Sequence, residues 1–197
     1  LNITAETISE KITHKTKAII VVHLLGLPCD MDPIIALAKK HGLYVIEDCA
    51  QAHGAKYKGK PVGSFGDVAA FSFCQDKIMS TGGEGGMLVT NNKALWEKAW
   101  SFKDHGKSYA AMFEQSHPPG FRWVHESIGT NWRMTEMQAA IGRIQLQKLE
   151  RWVKQRRENA RVLSGSISSP LIQSLPVYSD DFYHSYYKYS LQIDLSR

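Results

Sequence analysis

Two short apolar runs flank an amphipathic helical pattern near the start of the chain, and this arrangement constrains the fold more than any other feature. The first run, Lys17-Ala18-Ile19-Ile20-Val21-Val22-His23-Leu24, is β-branched and almost continuously apolar. That pattern predicts a strand buried on both faces. Asp32 and Pro33 then supply an N-cap and a first-turn proline, Ile34, Leu37 and Ala38 form one apolar face, and Gly42 ends the helix. Leu43-Tyr44-Val45-Ile46-Glu47-Asp48 follows as a second strand. Strand, helix and strand at this spacing make a βαβ unit, with parallel strands and a right-handed crossover. Ligands of such sheets gather beyond the carboxyl ends of the strands.

The remaining pattern extends the same architecture. Thr4 caps a short helix carrying Ala5, Ile8 and Ile12. Residues 55–63 read as a hairpin turning at Lys58-Gly59. Ala69-Ala70-Phe71-Ser72-Phe73-Cys74 is the next buried strand, and the run Gly82 to Gly86 leads into Met87-Leu88-Val89-Thr90. Asn92 caps a helix bearing Leu95, Trp96, Ala99 and Phe102, and residues 104–130 read as a long loop. Thr135 and Gln138 have capping-box spacing and open a long helix. Its far end, Lys154 to Arg161, reads as a solvated basic face rather than a nucleic-acid patch. Beyond Pro170, the alternating aromatic stretch Phe182 to Tyr189 predicts the first strand of another domain.

Composition narrows the class. The 197 residues are 43% hydrophobic and 22% charged, which excludes wholesale disorder and collagen-like repeats. Lys plus Arg is 24 against 19 for Asp plus Glu, so the net charge of +5 suits an anionic ligand and points to no nucleic acid. No run approaches the ~18 apolar residues of a membrane span. Cys29, Cys49 and Cys74 lack zinc spacing and read as buried thiols in a reducing, cytoplasmic setting. The chain opens on Leu1 inside patterned sequence, so a piece of a longer protein is expected.

Three chemical features fall at the strand ends. Asp48 closes one strand, Ser72 lies near the end of another with Lys77 just beyond, and the glycine run follows. Each alone has an ordinary reading: a turn acid, a hydroxyl facing across the sheet, a solvated amine. The glycine run is neither GxGxxG nor a Walker loop, which counts against nicotinamide oxidoreductases and nucleotide triphosphatases. Together they suit pyridoxal phosphate. Lys77 can hold it as a Schiff base, Asp48 can face the pyridine nitrogen, and Ser72 can bind the phosphate. Desolvation and the cofactor's charge would lower the Lys77 pKa for proton transfer.

A resemblance sharpens this reading. Ile46-Glu47-Asp48-Cys49-Ala50-Gln51-Ala52-His53-Gly54-Ala55 resembles the EDxAQAxGA segment of the DegT/DnrJ/EryC1/StrS family, pyridoxal-phosphate sugar aminotransferases of fold type I. Phe71-Ser72-Phe73-Cys74-Gln75-Asp76-Lys77 resembles its FSFxxxK segment. Thr81 to Gly86 resembles TxGEGG with one extra glycine, and Gly129 to Met134 followed by Gln138-Ala139-Ala140 resembles GxNxRM…QAA. Val22-His23-Leu24-Leu25-Gly26 is similar to VHLYG.

The resemblance implies an α/β fold with a mostly parallel sheet and flanking helices, incomplete at both ends. Residues 1–165 would be part of the large pyridoxal-phosphate-binding domain, and residues 166–197 would begin a small C-terminal domain. It implies Lys77 as the Schiff-base lysine and proton carrier and Asp48 as the pyridinium partner. Gln51 would lie near the ring hydroxyl and Ser72 on the phosphate. Asn131 would reach the neighbouring subunit's phosphate across a homodimer with shared sites. Arg133 and Glu84 would support loops or contact substrate, while His53 and His184 would pack. The implied reaction moves an amino group, from a donor such as glutamate, to a nucleotide-linked keto-sugar for amino-sugar and polysaccharide biosynthesis. Family dehydratases carry His in place of the lysine, so Lys77 argues against that alternative. A non-catalytic member is opposed by the joint presence of Asp48, Gln51, Ser72, Lys77 and Asn131. The family's upstream phosphate loop and ring-stacking aromatic would precede Leu1, so this piece alone is expected to show little activity.

Overall fold

Thr4 opens the structure with a capping box: its hydroxyl accepts from Thr7 N–H while the Thr7 hydroxyl accepts from Thr4 N–H. The computed structural model describes residues 2–122, 124–174 and 178–194. Helix α1 (Ala5–Ser9) stops before Ile12, closed by backbone bonds from Glu10 to Glu6 and from Lys11 to Ile8. Strand β1 (Ala18–Val22) follows, then α2 (Met31–His41) and β2 (Tyr44–Asp48). The N-cap of α2 is Asp30 rather than Asp32, and its side chain makes no cap bond because it accepts from the Tyr57 hydroxyl at 2.6 Å. Asp32 lies in the first turn and pairs with Lys58. Gly42 ends α2 at φ +64°, sending its N–H back to Ala38 and Lys39. A left-handed residue there costs glycine nothing.

The hairpin β3 (Lys56–Tyr57) and β4 (Lys60–Pro61) turns at Lys58 and Gly59, both at positive φ. Strands β5 (Val68–Ser72) and β6 (Gly86–Val89) complete the central sheet, ordered β1-β2-β5-β6. The first three strands are parallel and β6 is antiparallel to β5. One face packs Ile19, Val21 and Val45 against Met31, Ile34 and Ala38 of α2. Burying each of the larger side chains contributes about 1.5–3 kcal/mol. The other face leaves Ile20, Tyr44 and Leu88 exposed. The two-sided burial predicted for β1 is therefore not seen, because its residues alternate exposed and buried.

After α3 (Lys93–Lys103), capped by Asn92, the predicted loop contains a short helix α4 (Tyr109–Phe113). Ser108 caps it, and Tyr109 and Phe113 stack edge-on to Trp100 of α3. Helix α5 (Glu136–Ser166) runs 31 residues from the Thr135–Gln138 capping box. Strands β7 (Ile172–Ser174) and β9 (Gln192–Ile193) pair with each other, and β8 (Phe182–Tyr183) joins β3. The expected strand over Phe182–Tyr189 is thus two residues long, because the chain turns at His184 and Tyr186 takes φ +49°. Of the 166–197 segment, residues 175–177 and 195–197 lie outside the described residues.

Candidate functional site

Asp48 and Ser72 stand on one face at the carboxyl ends of neighbouring parallel strands. Val22 pairs with Asp48 and Asp48 with Ala70, and Ser72 is two residues beyond Ala70, so side-chain alternation places Asp48 and Ser72 together. Each side chain also builds the turn that ends its strand. Asp48 Oδ1 accepts from Ala50 N–H at 2.9 Å, and Ser72 Oγ accepts from Cys74 N–H at 3.3 Å. Among the described residues, the second oxygen of Asp48 makes no hydrogen bond.

Lys77 follows β5 with its side chain only 15% exposed. Its Nζ lies 3.2 Å from Asp76 Oδ1 and 3.4 Å from the Tyr187 hydroxyl. Burial pulls the ammonium's pKa down, but hydrogen bonds to Asp76 and Tyr187 outweigh it and leave the pKa above the ordinary lysine value. The lowering expected from sequence includes the charge of a bound cofactor; in the chain by itself the bonds to Asp76 and Tyr187 decide the direction.

Gln51 is fixed by its carbonyl end, which accepts from Leu25 N–H at 2.7 Å. That bond orients the amide, so its NH₂ is the end left to donate. Beside it, Gly26 sits at φ +93° where three segments converge. A Cβ there would lie 2.5 Å from Ser185 Oγ, 3.0 Å from Tyr187 N and 3.1 Å from Gln51 O. Gly26→Ala should therefore cost about 1–3 kcal/mol, read as a lower thermal midpoint.

Directly beneath, Glu47 faces the buried side of the sheet. Its carboxylate accepts from Gly63, Phe65 and Gly66 N–H at 2.6–2.7 Å and from His23 Nε2 at 3.0 Å. Because His23 Nδ1 accepts from Cys29 N–H, the proton is on Nε2 and the ring is neutral. His23, Glu47 and Cys49 bring ligand atoms within 4.8 Å of one another. These atoms are not poised for a metal: the histidine and carboxylate are committed to the protein, and burial raises the Cys49 thiol's pKa far above its ordinary value. Glu47 is a structural residue that reading the motif for chemistry missed.

Asn131 stands apart from this group. It is exposed, its backbone bridges to Asp104, and its Oδ1 accepts from Arg133 Nε at 3.0 Å. Arg133 thus braces the Asn131 loop, one of the two roles left open by the sequence. The Glu84 carboxylate faces Cys74, and its carbonyl accepts from Gln138 Nε2 at 2.7 Å, tying the glycine run to α5.

The profile of the DegT/DnrJ/EryC1/StrS aminotransferase family matches residues 1–197. The chain belongs to this family. It is 46% identical to a GDP-perosamine synthase of Escherichia coli O157:H7 over 93% of this chain and 47% of that protein. It superimposes on an aminotransferase from Psychrobacter cryohalolentis with a TM-score of 0.95 at 56% identity, covering 99% of this chain and 51% of that one. The TM-score is 0.84, at 37% identity, with S. venezuelae DesV in complex with a ketimine intermediate, covering 98% and 49%. The chain thus spans about half the length of the relatives it matches. The fold is that of the fold-type I pyridoxal-phosphate aminotransferases.

Two histidines, one in the 46–55 motif and one in the aromatic stretch after Pro170, are buried. His53 lies between Phe71 and Phe73, and neither ring nitrogen has a hydrogen-bond partner among the described residues. His184 stacks flat on Tyr186 and accepts from its N–H. Burial lowers both pKa values to about 4. Between pH 6.5 and 4 the unfolded chain binds protons that the folded chain refuses, so stability falls as pH falls through this window. Each histidine contributes on the order of 3 kcal/mol to that loss. His53→Phe should flatten the pH dependence of the thermal midpoint over this range, without moving the part due to His184.

Proposed function

We propose that this chain supplies the cofactor-holding part of a pyridoxal-phosphate-dependent aminotransferase. The parent enzyme would move an amino group, from an amino acid such as glutamate, onto a nucleotide-linked keto-sugar. The observation that carries this reading is the shared sheet face of Asp48 and Ser72, with Lys77 emerging just after the same strand. A carboxylate, a hydroxyl and an amine are the donor set that a phosphorylated pyridine aldehyde requires, and the residues present fit it.

When bound, the cofactor supplies an aldehyde that couples to amines and a ring that withdraws electrons from the substrate carbon. The open Asp48 oxygen would accept the ring N–H and keep it protonated, a charge-assisted bond of about 1.5–3 kcal/mol. Ser72 Oγ would donate to a phosphate oxygen. The Gln51 amide, already oriented by Leu25, would donate to the ring hydroxyl. Lys77 Nζ would hold the aldehyde carbon and later carry the proton removed from the substrate carbon. Asn131, on its exposed loop, would reach the phosphate in a partner subunit of a homodimer. In this reading the large domain ends near residue 165, close to the end of α5 at Ser166. Relatives are named for GDP-, dTDP- and UDP-linked sugars, and this supports the substrate class rather than one nucleotide.

Borohydride reduction of the intact protein carrying this chain tests the reading. A phosphopyridoxyl mass fixed on the Lys77 peptide supports it, and a tag on another lysine overturns it.

A further inference from the structure

We propose that Tyr187 is a positioning residue for Lys77: with the Asp76 carboxylate, its hydroxyl closes a ring of hydrogen bonds that holds the ε-ammonium in place. The donor logic fixes the direction of each bond. A lysine ammonium only donates, so the Tyr187 oxygen accepts from Lys77 at 3.4 Å. The Tyr187 O–H must then donate, and it points at Asp76 Oδ2. Lys77 donates again to Asp76 Oδ1 at 3.2 Å, completing the ring. The ammonium also lies 5.0 Å from the centre of the Tyr187 ring, within cation–π range.

Tyr187 is held too firmly for this to be a chance encounter of surface side chains. It is 7% exposed and packs with Ile78 and Val153. Arg156 of α5 donates to the carbonyls of Tyr186 and Tyr187 at 3.2 and 3.3 Å. Arg157 donates to the His184 carbonyl at 2.9 Å and lies over the Tyr183 ring. On the other side, Ser185 N–H and Lys188 N–H bond the Gly26 and Leu25 carbonyls. Residues 184–188 are thus strapped between α5 and the loop that Gln51 holds. The strap carries the tyrosine to a lysine 110 residues earlier in the chain. The hydrogen bonds to Asp76 and Tyr187 favour the charged amine, as the raised Lys77 pKa shows, and the Tyr187 bond comes first among those that lower the Asp76 pKa to about 2.

The significance of the clamp rests on the reading of Lys77 as the cofactor lysine, but its test does not depend on cofactor binding. The cofactor-free intact protein is labelled with acetic anhydride across pH 7–11, and acetylation of each lysine is followed by mass spectrometry. Lys40 and Lys56, which do not touch Tyr187 or Asp76, serve as internal standards. Tyr187→Phe keeps the ring and removes only the hydroxyl, and Asp76→Asn alters a half-exposed side chain. Both variants should acetylate Lys77 about three- to tenfold faster at pH 8, with a lower midpoint, a shift of half to one pKa unit. The standards should not change. Tyr187→His, which can still accept from the ammonium, should recover part of the slow labelling. Unchanged Lys77 profiles in both folded variants would overturn the clamp. Faster Lys77 labelling combined with no phosphopyridoxyl on Lys77 after reduction would uphold the clamp and remove the cofactor reading.

Discussion

Lys77→Ala in the intact protein should lower kcat by at least about 10³-fold and abolish borohydride fixation of the cofactor. The immediate neighbours cannot replace the amine. Asp76 is held as a carboxylate by Tyr187 and Lys77, and Tyr187 carries a hydroxyl whose pKa is raised by that same carboxylate. Neither offers a nucleophilic nitrogen. Lys77→Arg separates charge from chemistry: a guanidinium can still face Asp76, but it stays protonated and does not couple to an aldehyde. It should therefore fold normally and be as inactive as the alanine variant. Single-turnover absorbance and a product assay on both variants are the measurements. Full activity in either one would remove Lys77 from its proposed role.

Glu47→Ala should produce the largest loss of stability, about 3–5 kcal/mol. The substitution leaves the N–H groups of Gly63, Phe65 and Gly66 and the His23 Nε2–H without their acceptor in a site where Glu47 and His23 are fully buried. For a chain of this size the thermal midpoint should fall by roughly 6–20 °C. Glu47→Gln keeps one acceptor oxygen but turns an NH₂ toward groups that also donate, so it should lose much of the same stability. Burial raises the Glu47 pKa, yet the bond from His23 and the backbone bonds outweigh it and leave the folded value below 4.5. A carboxylate with a depressed folded pKa contributes its stability above the unfolded value and loses it as pH falls through the folded one. The variants should therefore differ most from wild type at neutral pH and converge with it in acid. A thermal midpoint unchanged at pH 7 would refute the assignment.

Glu47 and Asp48 show what could be read before the structure was known. Adjacent strand residues point to opposite faces, so one acid of the pair is interior and the other faces the ligand side. The motif picked out both, but chemistry attached only to Asp48. The three backbone N–H groups that require Glu47 come from the turn at 63–66, whose path the pattern did not specify. The βαβ unit, the hairpin at Lys58-Gly59 and the caps at Thr4, Asn92 and Thr135 were legible because each depends on local spacing. The N-cap of α2 was misplaced by two residues, since Asp30 and Asp32 are equally good caps until Tyr57 and Lys58 engage them. Tyr187 was invisible as a partner of Lys77 because nothing in a linear pattern joins positions so far apart. Only the strap across α5 and Gly26 makes them neighbours.

Helix α5 spans about 46 Å from end to end. Near its start, Gln138 and Gln145 grip the Glu84 carbonyl and the Ser80 N–H, and further along Arg156 and Arg157 grip the strap. The glycine run and the strap that carries Tyr187 to Lys77 are therefore both tied to one rigid rod, which sets the spacing between them. A proline placed between those anchor points would kink the helix and shift the strap relative to the glycine run without replacing any side chain that makes these bonds.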